Sequence, residues 1–342
     1  MVNCLGLDIG GANLKAAHQS GAARSAPFPL WQAPERLPYE LQRLLEDFPD
    51  VDTFAVTMTG ELADCFATKA EGVERILAGV ETVAGSRPIR VWSTGGHFVS
   101  DKEACRNPLL VAAANWHAVA TWWGQTRQIA AGVLIDIGST TTDVIPVRGE
   151  KPATQGLTDV TRLQAGELLY TGAVRTPLSA IVREVPFRGA MTPVAAEWFS
   201  TSLDLGLLLG EIEEDPHCRE TANQRPATRE AAWDRVARQI CCDRSECPFE
   251  EAVAIARSVR EQQLRQIRES LEKVLARHGK GVLQEILISG SGRFLAWQVV
   301  SMLPELRLSS VVDLGDLLTP ELADAACAHA VAALCRGMGG RS

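Results

Sequence analysis

Several things are scarce in this 342-residue chain, and each shortage excludes a class. It has no basic excess: 34 lysines and arginines face 42 acids, a net charge of −8, where a general nucleic-acid binder would show a basic patch. The basic residues between Arg219 and Arg277 are interleaved with acids and read as solvated helical faces. No apolar run is long enough to span a bilayer, so no membrane partner is expected. The N-terminus enters a strand at once, without a charged region followed by an apolar one, so no secretory signal is expected. Nine cysteines, an odd number with no Cys-x-x-Cys pair, suit reduced thiols in a cytoplasm better than a disulfide framework. His217, Cys218, Cys241, Cys242 and Cys247 fit no standard zinc spacing and read as structural. A P-loop Gly-Lys-Ser/Thr is missing too. With 46 % hydrophobic and 22 % charged residues, the chain is otherwise an ordinary globular one, long enough for two domains.

What is present is a repeat. Leu5 to Lys15 and Val133 to Asp143 are each a short apolar run ending in Asp-Ile-Gly, then small or hydroxyl residues, then a second run. Each reads as strand, tight turn, strand. The Rossmann fingerprint and the P-loop need a helix straight after the Gly turn, so neither applies. Gly10, Gly11 and Gly138 are expected to take positive φ and let a ligand approach the backbone. Successive turn amides make an anion nest, and Ser139, Thr140, Thr141 and Thr142 add hydroxyl donors. Asp8 and Asp136 end the strands, where a carboxylate can hold Mg²⁺ directly or through water. Two such hairpins face to face would grip a di- or triphosphate, and repetition favours that reading over two ordinary strand ends.

Other segments fit around the repeat. A buried strand, Val51 to Met58, runs into the polar turn Thr57 to Asp64, at the sheet edge where ligands gather, so Thr59, Glu61 and Asp64 are candidates. The alternative is a helix start capped by Thr59. Thr68 and Glu71 have the spacing of a capping box ahead of a helix to Ala84. His97, in a loop after a strand, is a candidate acid–base group or simply exposed. Leu109 to Trp123 and Pro320 to Leu334 read as small-residue helices that cross as a hinge core. Glu167, Tyr170, Thr171 and Arg175 group an acid, a phenol, a hydroxyl and a base between Gly and Pro signals, as a substrate segment would. Residues 195–279 read as mostly helical, interrupted by a polar stretch from Glu213 to Arg229 and ending in a long helix, Pro248 to His278, closed by Gly279. The strand Glu285 to Ser289 runs through Gly290, Ser291 and Gly292 into a helix, an anion site by geometry, with Arg293 to clamp it. Gly337 to Ser342 reads as a loose tail.

Two Asp-x-Gly hairpins followed by a strand with a Gly turn resemble the actin-like ATPase fold of sugar kinases, seventy-kilodalton heat-shock chaperones and actin. The resemblance implies a two-domain, ribonuclease H-like α/β architecture: duplicated mixed sheets flanked by helices, with a cleft between them. Residues 1–125 plus 318–342 would form the first domain and 126–317 the second, with a helical insertion at about 195–279. Four segments, Leu7 to Lys15, Thr57 to Asp64, Asp136 to Asp143 and Glu167 to Pro177, are similar to the hydantoinase/oxoprolinase-related branch. Within it they resemble the tetrahydromethanopterin-linked one-carbon transfer pathway proteins, whose archaeal members are methanofuran-biosynthesis synthases. Thr221 to Pro226 departs from the family, which has an Asp-Gly pair before the Arg.

That resemblance implies an enzyme joining an aminomethylfuran-methyl diphosphate to the phenol of γ-glutamyltyramine, or of a tyrosine-derived analogue, with release of diphosphate. Asp8 and Asp136 would place Mg²⁺, while Lys15, Asn13 and Arg293 would assist electrostatically. Glu61, Glu167 or Asp143 would serve as base, an open choice. Small molecules are then the partners, and the oligomeric state stays open, homo-oligomers being common. An ATP-dependent small-molecule kinase or oxoprolinase-like hydrolase is the second reading. A nucleotide-gated scaffold is the third.

Overall fold

The computed structural model describes residues 3–48, 50–278 and 283–338. Its strands, numbered in chain order, are β1 (Cys4–Ile9), β2 (Asn13–His18), β3 (Ala23–Pro27), β4 (Thr53–Met58), β5 (Ile89–Trp92), β6 (Phe98–Ser100), β7 (Ala131–Ile137), β8 (Thr142–Arg148), β9 (Lys151–Pro152), β10 (Leu168–Leu169), β11 (Glu184–Phe187), β12 (Ala190–Pro193), β13 (Glu285–Ser289) and β14 (Ser310–Asp313). Both expected hairpins are present, as β1–β2 and β7–β8.

The sheets repeat one plan. The first runs β3-β2-β1-β4-β5-β6 and the second β10-β8-β7-β13-β14, with β9 also on β8. In each, the first strand pairs antiparallel with its hairpin mate and parallel with a later strand. Register carries the equivalence to single residues. Asp8 lies opposite Lys15 and beside Thr57; Asp136 lies opposite Asp143 and beside Ser289. The chain has an actin-like ATPase fold.

Helices Leu37–Leu45 and Lys69–Ala84 pack Leu41, Leu44, Val73 and Ile76 onto Leu5, Leu7 and Val56. Thr68 caps the second of these as its spacing predicts, accepting from Glu71 N at 3.1 Å, while Glu71 reaches Ala67 N at 2.9 Å. Helices Phe249–Arg277 and Arg293–Ser301 cover the second sheet. Pro248 stands at the N-cap position of the first of this pair, without a capping hydrogen bond, and the expected Gly279 stop lies outside the described residues. A third core joins both sheets: Cys4 and Ala55 from one, Leu134 and Leu287 from the other, with Trp116, Trp123, Ala330 and Val331 between.

The two helices of that shared core are shorter than expected. Residues Pro108–Leu110 form a 3-10 turn, Ala113 takes φ 47°, and the helix begins only at Asn115, running to Arg127. The late helix breaks at Ala325 into Pro320–Asp324 and Ala326–Met338. Gly337 is therefore helical rather than tail, and residues 339–342 lie outside the described set. The helices do pack together: the rings of Trp122 and His329 meet edge-on at 5.0 Å.

The insertion has its own core, with Leu205, Leu207, Val236, Ile255 and Val259 from three helices. All nine cysteines are free thiols. Among the described residues, no helix is long and apolar enough to cross a membrane.

Candidate active site between the two hairpin turns

Strand pairing brings Asp8 and Asp136 to the same edge of their respective sheets; both feel the charge of Lys15, and Asp136 also feels that of Asp8. Burial pushes Asp8 up to about 6; Lys15 opposes the shift and Asp324 adds to it. Burial likewise pushes Asp136 up to about 6, with Asp143 adding to the shift and the Ser289 hydroxyl opposing it. Asp8 Oδ1 is buried with no hydrogen-bond partner among the described residues.

Lys15 Nζ donates to Asp324 Oδ1 at 3.0 Å and to the Asp324 carbonyl at 2.5 Å. Burial alone would lower the Lys15 pKa, but Asp324 and then Asp8 outweigh it, so the ammonium is held charged. Cys327 sits beside this group, its thiol raised by burial and by both aspartates, and Asn115 Nδ2 lies 3.7 Å from its sulfur. Asp324 and Cys327 went unforeseen, because their place depends on the Ala325 break.

The turns are shaped differently from expectation. Gly10, Gly11 and Gly138 do not take positive φ; among the glycines of the site only Gly290 does, at 89°. Gly10 N and Gly138 N are used within the turns, donating to Asn13 O at 3.0 Å and Thr141 O at 2.9 Å. The amides of Ser139, Thr140 and Thr141 have no protein acceptor among the described residues. A Cβ on Gly172 would lie 2.6 Å from Thr140 N, so residues 172–175 buttress the turn at contact distance. Val174 N and Arg175 N both donate to Ser139 O, at 3.0 and 2.9 Å. Gly292 N likewise donates to Ile137 O at 2.7 Å and seats the start of helix Arg293–Ser301 against the second hairpin.

Thr59 N and Gly60 N donate to Ile9 O at 3.0 Å each, which hangs the Thr57–Asp64 turn on the first hairpin. Thr59 caps no helix, the next one starting at Lys69. Beyond it Glu61 is 1 % exposed, with Oε2 unpartnered. Burial pushes it up to about 7; its own amide, Lys69 and the Ala113 amide oppose the shift and Asp159 adds to it. Lys69 and Asp159 form a 2.9 Å ion pair, and Tyr170 lies within the field of Asp159, Lys69 and Glu61.

Four residues read as ligand-facing are instead committed inside the protein. Glu167 is fully buried, accepting from Gln155 N at 2.7 Å, Gly156 N at 3.0 Å and Arg277 Nη2 at 3.3 Å, so both carboxylate oxygens are engaged inside the protein. Asp143 is ion-paired with buried Arg162, whose guanidinium also stacks 4.1 Å over Trp116. Thr142 gives its hydroxyl to Thr171 O at 2.7 Å, and Thr171 Oγ1 accepts from Gln263 at 2.9 Å.

The rest are more open. Asn13 and Asp64 are exposed. The His97 ring meets the Gly95 carbonyl at 3.3 Å, while its own carbonyl accepts from Ser93 N at 3.1 Å and Ser93 Oγ at 2.7 Å. Arg175 faces Glu220 at 3.7 Å and Arg293 faces Asp313 at 3.6 Å. Among the described residues, no group of three or more His, Cys, Asp or Glu could hold a metal.

A carboxylate beneath a turn at the end of the first strand of each of two like-ordered sheets is the layout of the actin-like ATPase fold. The hydantoinase/oxoprolinase family model matches residues 52–312, and the chain belongs to that family. Over 292 residues it is 35 % identical to the (4-{4-[2-(gamma-L-glutamylamino)ethyl]phenoxymethyl}furan-2-yl)methanamine synthase of Methanocaldococcus jannaschii, covering 84 % of this chain and 86 % of that one. The Methanococcus vannielii protein of the same name is 31 % identical over 182 residues, 53 % of this chain and 80 % of its own. Among solved structures, nucleotide-free acetone carboxylase superposes over 97 % of this chain and 70 % of its own, with a TM-score of 0.55 at 12 % identity, a likeness of fold alone.

Proposed function

We propose that the chain is a transferase of methanofuran-type cofactor biosynthesis. It joins an aminomethylfuran-methyl diphosphate to the phenol oxygen of γ-glutamyltyramine, or of a tyrosine-derived analogue, giving an aryl ether and diphosphate. The names of the two curated relatives support this reading. The observation that carries it is the pair of desolvated carboxylates, Asp8 and Asp136, beside a turn with three unengaged amides. Such a turn recognises phosphate oxygens and makes no demand for adenine.

The pair also fits Mg²⁺. The unpartnered Asp8 Oδ1 is a hard oxygen donor, the kind Mg²⁺ takes through one or two carboxylates alongside phosphate and water. Bound there, Mg²⁺ would neutralise charge on the leaving diphosphate.

The chain's own groups do the rest. Amides 139–141 and the Ser139 and Thr140 hydroxyls hold the diphosphate, with Lys15 supplying positive charge. The bond from the furan-methyl carbon to the diphosphate oxygen breaks as the bond from that carbon to the phenol oxygen forms. The phenol proton passes to Glu61 Oε2, the one of the three carboxylate candidates left with a free buried oxygen. In this reading residues 1–125 with 318–342 close on residues 126–317 around the substrates.

Purified protein given the furan diphosphate, γ-glutamyltyramine and Mg²⁺ is expected to yield the ether and diphosphate in equal amounts, followed by mass-detected chromatography. Acceptor-dependent ATP consumption without ether would overturn this in favour of an ATP-dependent kinase or hydrolase, with adenosine beside Gly290 to Arg293.

A further inference from the structure

The polar stretch between helices Ser202–Leu209 and Arg229–Gln239 takes no part in the reaction above. It is nonetheless an ordered loop. Asp215 bridges to Ala227, its carboxylate accepts from His217 N at 2.8 Å and Cys218 N at 3.2 Å, and Thr221 Oγ1 donates to Arg225 O at 2.7 Å. The loop walls a cavity of about 450 Å³ lined by Trp198, Phe199, Ala222, Asn223, Arg225, Arg235 and Arg238. Three guanidiniums and no carboxylate line it, in a chain whose net charge is −8.

The three arginines are not equivalent. Arg235 is buried and ion-paired with Asp204, with Nε on Asp204 Oδ1 at 2.7 Å and Nη1 on Asn223 Oδ1 at 3.2 Å. Arg225 N also donates to Asn223 Oδ1, at 3.2 Å. Both contacts fix the Asn223 amide and leave its Nδ2 a donor with no protein acceptor among the described residues. Arg225 is 60 % exposed, and its one carboxylate contact is a 3.3 Å approach to Asp234, already engaged by Arg244 Nη2 at 2.8 Å. Arg238 is exposed, its guanidinium donates among the described residues to the Asp234 carbonyl at 3.2 Å, and it is felt by Asp243 from the following turn. Trp198, 58 % exposed, supplies an apolar wall.

This cavity is rooted beside the phosphate turn. Leu178 N donates to Ser200 O at 3.0 Å, Ser202 N to Thr176 O at 2.8 Å and Leu203 N to Val174 O at 3.2 Å. Val174 and Arg175 are the residues whose amides hold Ser139. From Ser202 to Trp198 is four residues, at most about 14 Å of chain.

We infer that the cavity is a carboxylate subsite that holds the glutamyl end of the acceptor while its phenol lies toward Glu61. A planar guanidinium from Arg225 or Arg238 and the Asn223 amide match the carboxylate, and the Trp198 indole covers the methylene arm. The identity of the ligand rests on the ether-synthase reading; the chemistry of the cavity does not.

The test is calorimetric titration of the full chain with γ-L-glutamyltyramine and with tyramine, which lacks the carboxylate. The parent is expected to prefer the glutamyl ligand by at least about tenfold. An R225A/R238A double variant is expected to lose that preference with tyramine affinity unchanged. Both side chains are exposed, so its melting temperature is expected to match the parent's. Difference fluorescence between the parent and W198F, which leaves the arginines in place, reads the same site: a glutamyl-dependent change in the Trp198 signal is expected. Equal affinities for the two ligands in the parent, or a preference that survives in the double variant, would overturn the proposal. Preference lost in the variant while no ether forms in the parent would keep the cavity as a carboxylate site and discard the reaction.

Discussion

Replacing Asp136 with Asn is expected to abolish turnover and yet stabilise the ligand-free protein above neutral pH. The magnitude follows from burial. The Asp136 carboxyl titrates at about 6 in the folded chain against 3.8 for the free group. About two units at 1.36 kcal/mol each is ~3 kcal/mol. The sign follows from linkage. Below pH 4 the carboxyl is protonated both folded and unfolded, and the folded state keeps its full advantage. As pH rises through about 6 the unfolded chain ionises more readily than the folded one, and stability is lost. Asn carries no charge to desolvate. The D136N variant and its parent should therefore melt together near pH 4 and part by pH 8, the variant higher by roughly 4 °C. Thermal melts across this range without metal, followed by circular dichroism, make the measurement. Mg²⁺ with diphosphate should close the gap by stabilising the parent alone. Equal melting temperatures at pH 8 in the absence of ligand would refute the reasoning, since an exposed carboxylate has nothing to lose.

Other changes test separate parts of the site. Glu61→Gln should lower kcat at least about 100-fold with little effect on KM, and remove the limb of the pH–rate profile near the Glu61 value of about 7; a variant that keeps the parent's profile would leave the phenol without its assigned base. Glu167→Gln should act on stability instead, because it strips the charge from the partner of Arg277 and two buried amides. A loss of about 3 kcal/mol in chemical denaturation with normal kcat in the folded fraction is expected, and the reverse pattern would restore Glu167 as a candidate base. Gly172→Ala drives a Cβ to 2.6 Å from Thr140 N. Diphosphate affinity by calorimetry should fall more than about tenfold, and an unchanged value would move the phosphate away from this turn.

The hairpins were legible because each is a local device repeated: an apolar run, an acid, a glycine and a second apolar run. The strands, the capped helix from Lys69 and the long insertion helix follow from equally local signals. What failed was set at a distance. The helix expected from Leu109 starts at Asn115 because Ala113 is held left-handed where its amide meets Glu61, a contact across more than fifty residues of chain. The late helix breaks at Ala325, and the carbonyl of Asp324 beside the break accepts from Lys15. Alanine-rich sequence carries no mark of either event. Glu167 and Asp143 looked available because nothing near them in sequence announces Arg277, or Arg162 under its tryptophan. The glycines of the turns were placed correctly but for the wrong reason: Gly10, Gly11 and Gly138 do not adopt positive φ.

The central question is what the paired hairpins hold. Calorimetric titration with inorganic diphosphate, ADP and ATP, each with and without Mg²⁺, asks that directly. Diphosphate binding that requires Mg²⁺, weakens as Asp8 and Asp136 are protonated below about pH 6, and gains nothing from adenosine is the predicted result. Tight binding that demands adenosine, with diphosphate alone inert, would contradict it.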